Sequence, residues 1–264
     1  MSAIVDDRVG GLAIYRHEGE PGAARVVFVH GSMDRGASFL KVTRRLGGLT
    51  MVRYDRRGYG RSVGAGVAGS MGEQVADLLA VVGDEPAVVV GHSLGGVIAL
   101  AAAQAHPGLI PSVAAFESPM SWMPWWPTVS AGAVAVAVAP EVGPEEAGER
   151  FMRRMIGDER WERLPSRTRA ERRSEGPALL AELGSIRSGP PYDPAQVTVP
   201  VLAGYGSESK PYHQEAAIRL AEWAPEGELM VIEGAGHAAQ SSHPEDFVAF
   251  VRRAVARGTG TGVT

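Results

Sequence analysis

The chain of 264 residues contains no cysteine, so it has no disulfide, no thiolate metal site and no cysteine nucleophile. It also lacks an excess of positive charge, because 26 Lys and Arg face 30 Asp and Glu and the formal net charge is -4. Surfaces that bind nucleic acid neutralise phosphates with clustered basic side chains. Nucleic acid is therefore not an expected partner.

Long apolar runs are missing as well. The longest one, residues 129–139, is much shorter than the roughly 20 residues that a helix needs to cross a bilayer. Residues 1–11 include Asp6 and Asp7 and contain no apolar stretch typical of a secretory signal. We therefore expect a cytoplasmic protein without a membrane span.

Short β-branched runs alternate along the chain with helical segments. Strands are predicted over residues 12–15, 26–29, 50–54, 87–90, 113–116, 199–205 and 228–232, and helices over residues 71–82, 94–105 and 244–256. Strands joined by crossover helices are typical of a mostly parallel sheet that helices cover on both faces. The predicted fold class is α/β.

Residues 119–196 break this alternation and mix proline, tryptophan and arginine with short helical patches. Helices are predicted there over residues 144–156, 159–174 and 177–186. We interpret residues 119–196 as an inserted helical lid, with residues 1–118 and 197–264 forming the core.

One pentapeptide carries the pattern of a serine nucleophile. Gly91-His92-Ser93-Leu94-Gly95 follows an apolar strand and precedes an Ala-rich helix. In a G-x-S-x-G turn the serine hydroxyl is exposed at the strand end, and the next backbone N–H stabilises an oxyanion. Ser93 is the predicted nucleophile, and Leu94 is predicted to supply one oxyanion-hole N–H.

A second N–H is needed for an oxyanion hole. The strand over residues 26–29 runs into His30-Gly31-Ser32, and we predict that the Ser32 N–H reaches the same point. The alternative is an ordinary turn that ends the strand.

Two further motifs complete a family pattern: Asp55-Arg56-Arg57-Gly58-Tyr59-Gly60-Arg61-Ser62 and Gly234-Ala235-Gly236-His237. With the two turns above, they resemble the α/β-hydrolase superfamily in order and separation, over about residues 26 to 256. Residues 116–119 and 206–209 look like a group of actinobacterial hydrolases of mostly unassigned substrate. The resemblance implies the α/β-hydrolase fold with a helical lid, and His237 as the general base.

The sequence offers more than one candidate for the carboxylate of a catalytic triad. A serine hydroxyl needs a base, and the base needs a carboxylate that orients it. After the strand predicted over residues 199–205, the family usually has Gly-x-x-Asp. This chain reads Gly206-Ser207-Glu208-Ser209 at that place. Glu208, in that loop, and Glu117, after the preceding strand, are both candidates, and a third possibility is that neither completes the triad.

The start of residues 119–196 is rich in aromatic side chains that could line a cleft. Substrate contacts are predicted for Trp122, Met123, Trp125 and Trp126, together with His92 beside the nucleophile. The alternative is that these side chains attach the lid to the core.

These observations predict a serine hydrolase that acts through an acyl-enzyme on a carboxylic ester or related small acyl compound with an apolar group. No metal-ligand spacing and no Gly-rich phosphate loop is found, so neither a cofactor nor a metal is expected. The missing aspartate leaves an alternative, a lyase, a cyclase or a binding protein on the same fold. No pattern in the sequence indicates an oligomeric state.

Overall fold

The computed structural model describes residues 7–187 and 189–260. Within these ranges eight strands form one sheet in the order β1-β2-β4-β3-β5-β6-β7-β8. They are β1 (Asp7–Val9), β2 (Leu12–His17), β3 (Arg25–Val29), β4 (Thr50–Tyr54), β5 (Val88–His92), β6 (Val113–Phe116), β7 (Val201–Gly206) and β8 (Gly227–Ile232). Strand β2 pairs antiparallel with β1 and β4, and all other pairs are parallel. The predicted α/β class is confirmed.

Eleven α-helices are found within residues 7–187 and 189–260, and some of them cover the two faces of this sheet. They are α1 (Leu40–Thr43), α2 (Met71–Val82), α3 (Leu94–Ala105), α4 (Ala131–Val142), α5 (Pro144–Ile156), α6 (Asp158–Glu162), α7 (Ser166–Ser174), α8 (Gly176–Ser185), α9 (Pro211–Trp223), α10 (Ala239–Ser242) and α11 (Pro244–Thr259). Helices α2, α3 and α9 belong to the core on one face, whereas α1 and α11 belong to the core on the other. Within residues 7–187 and 189–260, no helix combines the length and the apolar character needed to span a membrane.

The two cores follow from alternation along the strands. In β3, Val27 and Val29 lie in the core beneath α2 and α3, whereas Val26 and Phe28 lie in the opposite core. Successive side chains of a strand point to opposite faces, so a strand covered on both sides is apolar throughout. This is why the central strands read as unbroken apolar runs in the sequence.

The structure differs from the predicted elements in a few places. The predicted helix over residues 159–174 is two helices, α6 and α7, because Pro165 between them has no N–H to continue the first helix. Strand β1 and helix α9 were not predicted. The expectation that residues 1–11 carry no secretory signal concerns in part residues 1–6, which lie outside the described residues.

Helices α4 to α8 all lie between β6 and β7 along the chain, and α8 with the residue before it contacts the turn that follows β4. The guanidinium of Arg56 in this turn contacts Glu182 of α8 at 2.8 Å, and both side chains are fully buried. The Tyr59 hydroxyl donates to the same carboxylate at 2.7 Å, and the Gly60 N–H donates to Glu175 at 2.9 Å. Buried polar contacts therefore attach the helical segment 119–196 to the sheet.

We expect Glu182→Ala to lower the free energy of unfolding by about 3–5 kcal/mol, because it leaves the buried Arg56 charge without a carboxylate. Urea unfolding measures this. The matched control is Glu159→Ala, which removes an exposed i,i+4 pair with Arg163 from the same helical segment and should cost about 0.5 kcal/mol or less. Equal losses in the two variants would contradict the expectation.

Candidate active site

Ser93 occupies a strained turn between β5 and α3. Its backbone angles are φ 54° and ψ -126°, in a region that side chains other than glycine rarely adopt. The turn is tight, because a Cβ on Gly91 would collide with the Gly95 backbone and a Cβ on Gly95 would collide with Val29. The Ser93 N–H donates to the Phe116 carbonyl at 2.9 Å, which ties the turn to the end of β6.

His237 lies in the loop between β8 and α10. Its Nδ1 lies 2.6 Å from Oε2 of Glu117, and its side chain is 21% exposed while that of Glu117 is 0% exposed. A carboxylate bonded to one nitrogen fixes the tautomer of an imidazole and leaves the other nitrogen free to accept a proton. The pair is therefore arranged as a base and its orienting acid.

Three groups hold the Glu117 carboxylate, which follows β6 at a positive φ of 49°. Besides His237, the Gly206 N–H donates to Oε1 at 3.0 Å, and the Ser209 hydroxyl donates to the same oxygen. Burial raises the pKa of Glu117, but the bond and the charge of His237, with smaller contributions from His213 and Ser209, bring that pKa down to about 2. Glu117 is therefore ionised at neutral pH.

The two candidate acids occupy different surroundings. Glu208 is exposed at the wall of an outer cavity, and Ser209, at the usual aspartate position, donates to Glu117 instead of contacting His237. In the described part of the chain, Glu117 is the carboxylate that bonds to His237.

The His30-Gly31-Ser32 turn lies directly against the nucleophile, since a Cβ on Gly31 would come within 2.9 Å of the Ser93 Cβ. Arg56 holds this turn, because its guanidinium donates to the His30 and Gly31 carbonyls, each at 2.9 Å. Ser32 and Leu94 both line the cavity that contains Ser93. In the described part of the chain, neither of their N–H groups donates to another backbone group.

Ser93 and His237 line the same small cavity of about 70 Å³. Because Ser93 is part of the cavity wall, a ligand in this cavity would contact it. Apolar side chains of the helical segment close the opposite side; they include Trp126, Phe151, Met155, Leu183 and Ile186. An adjoining outer cavity of about 560 Å³ shares His237 and carries charged side chains at its wall, namely Arg154, Glu208 and Lys210.

Of the five predicted substrate contacts, Trp126 lines the inner cavity. The structure places the other four outside the walls of both cavities. Trp122 packs edge-on against Tyr192, Met123 is half-buried against the core, and Trp125 is 36% exposed. His92 is buried, and its Nε2 bonds to the His237 carbonyl at 2.7 Å, so it supports the backbone of the base.

The sequence analysis missed His213, whose ring stacks on His237 with centroids 4.6 Å apart. Its helix, α9, begins with Pro211 directly after the loop that carries Ser209. Proline in the first helical turn is a helix-start signal, so the helix was detectable from the sequence. The contact with His237 was not, because it joins side chains that are distant along the chain.

Glu117, His213 and His237 place possible ligand atoms within 4.8 Å of one another. A metal ion would require their lone pairs to converge on one point. The two imidazole rings are instead stacked with an interplanar angle of 29°, and Nδ1 of His237 is already bonded to Glu117. As arranged, these groups contact one another and do not converge on a common centre. The absence of a cofactor stays a prediction.

The sheet order and the strand–serine–helix turn define a protein of the α/β-hydrolase class. Residues 26–250 match the model of the alpha/beta hydrolase family. The pimeloyl-[acyl-carrier protein] methyl ester esterase of Chromobacterium violaceum is 32% identical over an alignment of 232 residues, and the match covers 84% of this chain and 91% of that protein. The chain therefore belongs to the α/β-hydrolase family, and it is an enzyme of that fold.

Solved structures share the fold. A thermophilic esterase from Thermogutta terrifontis superposes with a TM-score of 0.70 at 21% identity, covering 94% of this chain and 93% of that chain. The enol-lactonase from Burkholderia xenovorans has a TM-score of 0.70 at 19% identity, covering 94% of this chain and 98% of that chain.

We expect acid to destabilise the protein through its buried imidazoles, among them His92 and His213. Burial, and next the neighbouring His237, lower the pKa of both His92 and His213 to about 3, from an ordinary value of 6.5. Below pH 6.5 the unfolded chain binds protons that the folded protein does not, so the free energy of unfolding falls as the pH drops towards 3. Urea unfolding across the upper half of this range measures the slope. His213→Phe should flatten it, whereas the same slope in wild type and variant would contradict the assignment.

Proposed function

We propose that this enzyme hydrolyses a carboxylic ester through an acyl-enzyme, with Ser93 as nucleophile and His237 as general base. The observation that carries the proposal is the 2.6 Å contact between His237 and the fully buried Glu117, beside a cavity that Ser93 also lines. A base that a carboxylate orients is what a serine hydroxyl needs near neutral pH. The named ester chemistry of the relative from Chromobacterium violaceum supports an ester as substrate.

The proposed reaction runs in two halves. Ser93 Oγ attacks the carbonyl carbon while His237 takes the hydroxyl proton, and the N–H groups of Ser32 and Leu94 stabilise the oxyanion. His237 then returns the proton to the departing alcohol, which leaves an acyl group on Ser93. Water, deprotonated by His237, releases the acid and restores the serine. Glu117 stays ionised and orients the imidazole throughout.

The two cavities support a substrate with groups of unequal size. The inner cavity of about 70 Å³ holds only a handful of water-sized positions at roughly 10–15 Å³ each, and its walls are largely apolar. We infer that it takes a short apolar group. The outer cavity of about 560 Å³ leaves room for a larger and more polar part of the ester.

We further propose that the helical segment 119–196 acts as a lid over the core of residues 1–118 and 197–264. Its side chains supply the apolar wall opposite Ser93, including Trp126, Phe151 and Leu183. A lid of this kind excludes water and shapes the acyl or alcohol site. Specificity would then reside mainly in this segment, and the reacting groups in the core.

The sequence also left open a lyase, a cyclase or a binding protein, because an aspartate is missing from the loop after β7. Ser209, which takes that position, donates to Glu117, so the loop still contributes to the arrangement around His237. This favours the hydrolytic alternative.

We expect wild-type protein to react with a fluorophosphonate probe and to hydrolyse p-nitrophenyl acetate and butyrate faster than the decanoate. Ser93→Ala should lose both reactions, since it removes the attacking oxygen. Gel labelling and absorbance assays measure them, and circular dichroism checks that the variant folds. Folded wild-type protein that neither labels nor turns over any ester would sink the hydrolase proposal and favour the non-hydrolytic alternatives.

Two matched variants distinguish the candidate acids. Glu117→Gln keeps the shape of the side chain but removes its charge, and we expect kcat to fall by about 10³–10⁴, the scale known for loss of a triad acid. Glu208→Gln should lower kcat by far less, because that side chain is exposed in the wall of the outer cavity and does not bond to His237. The reverse outcome would assign the acid to Glu208.

A further inference from the structure

His213, in the first turn of α9, packs on the face of the proposed base. The two ring centroids are 4.6 Å apart, and the interplanar angle is 29°. His92 approaches the same ring from β5, also at 4.6 Å but tilted by 50°. His237 therefore has an imidazole neighbour in each of two directions.

Aromatic side chains and bonds from Gln214 to the preceding loop hold His213 in place. Trp126 of the helical segment meets its ring edge-on at 5.4 Å, and the Tyr212 ring lies 4.6 Å away. The Gln214 side-chain amide donates to the carbonyls of Ser207 and Ser209, each at 3.0 Å. The loop that supplies Ser209 to Glu117 thus also fixes the start of α9, and with it the His213 ring.

The His213 ring is uncharged under ordinary conditions. Burial, and next the charge of His237, lower its pKa to about 3. Its Nδ1 is buried and has no hydrogen-bond partner among the described residues. Because a buried N–H without an acceptor is unfavourable, the proton belongs on Nε2. His213 therefore meets His237 as a neutral aromatic ring and not as a second base.

Hydrogen bonding alone leaves the His237 ring underconstrained. In the described chain its ring bonds to Glu117 through Nδ1, and one such bond permits the ring to tilt about the bond direction. A tilt would move Nε2 away from the point at which it must meet the Ser93 proton. Displacements of this kind near a reacting group reduce rates by large factors.

We propose that His213 is a positioning residue for His237: its stacked ring holds the imidazole plane in the orientation that serves both Glu117 and Ser93. The role rests on the proposed function, since it acts through the base. His213 also lines both cavities, so the test must separate positioning of His237 from contact with substrate. When His237 takes the serine proton, a neutral aromatic face beside the new cation is also favourable. A charged neighbour would repel it instead.

The test compares three variants in the full chain. His213→Leu fills the space without an aromatic face, His213→Phe keeps the face without the nitrogens, and His106→Leu is the control at an exposed position outside both cavities. The readouts are the rate of fluorophosphonate labelling at Ser93, kcat and KM on p-nitrophenyl butyrate, and the melting temperature.

We expect His213→Leu to slow labelling and kcat by about tenfold or more, and His213→Phe to recover most of the loss. Because His213 also lines both cavities, kcat and the labelling rate carry the test rather than KM. Unchanged labelling and kcat in a folded His213→Leu variant would overturn the proposal. So would equal losses in the Leu and Phe variants, which would assign the effect to the ring nitrogens. If wild-type protein is not labelled at all, the proposed function itself fails, which is a separate result.

Discussion

The arrangement of the site depends on one buried carboxylate. Glu117 is fully buried and accepts hydrogen bonds from three partners, which lie at the end of β7 and in the loops that follow β7 and β8. A buried charge is tolerated only when it is paired and fully hydrogen-bonded. Each partner is therefore restrained by the same charge, and His237 is held in the wall of the cavity that Ser93 also lines.

A second buried charge connects the helical segment 119–196 to the sheet. Arg56 donates to the carbonyls of the His30-Gly31 turn with one side of its guanidinium and to Glu182 of α8 with the other. The turn that lies against Ser93 and the segment that closes the inner cavity are thus joined through one side chain. A shift of this segment would move the turn at the proposed oxyanion site, because close-packed protein interiors transmit strain.

Much of the fold could be predicted because it rests on local patterns. Apolar runs of strand length and the alternation of strands with helices predicted the sheet, and the bounds of α2, α3 and α5 agree with the structure. Strand β1 escaped prediction because it is a three-residue polar strand at the sheet edge, defined by its pairing with β2. The aromatic residues of 119–127 were predicted as a group to contact substrate, yet only Trp126 lines the inner cavity, since composition does not tell which way each ring points.

The sequence by itself determined the fold class, the turn that bears Ser93 and the loop that bears His237, because those features are written in contiguous residues. It left Glu117 and Glu208 equal as candidate acids and offered no role for His213. Only the tertiary structure distinguished the two glutamates. Glu117 and His237 are 120 positions apart in the chain, and their 2.6 Å contact exists because β6 and β8 flank β7 in the sheet. Side-chain contacts between distant segments follow from packing, which no local pattern specifies.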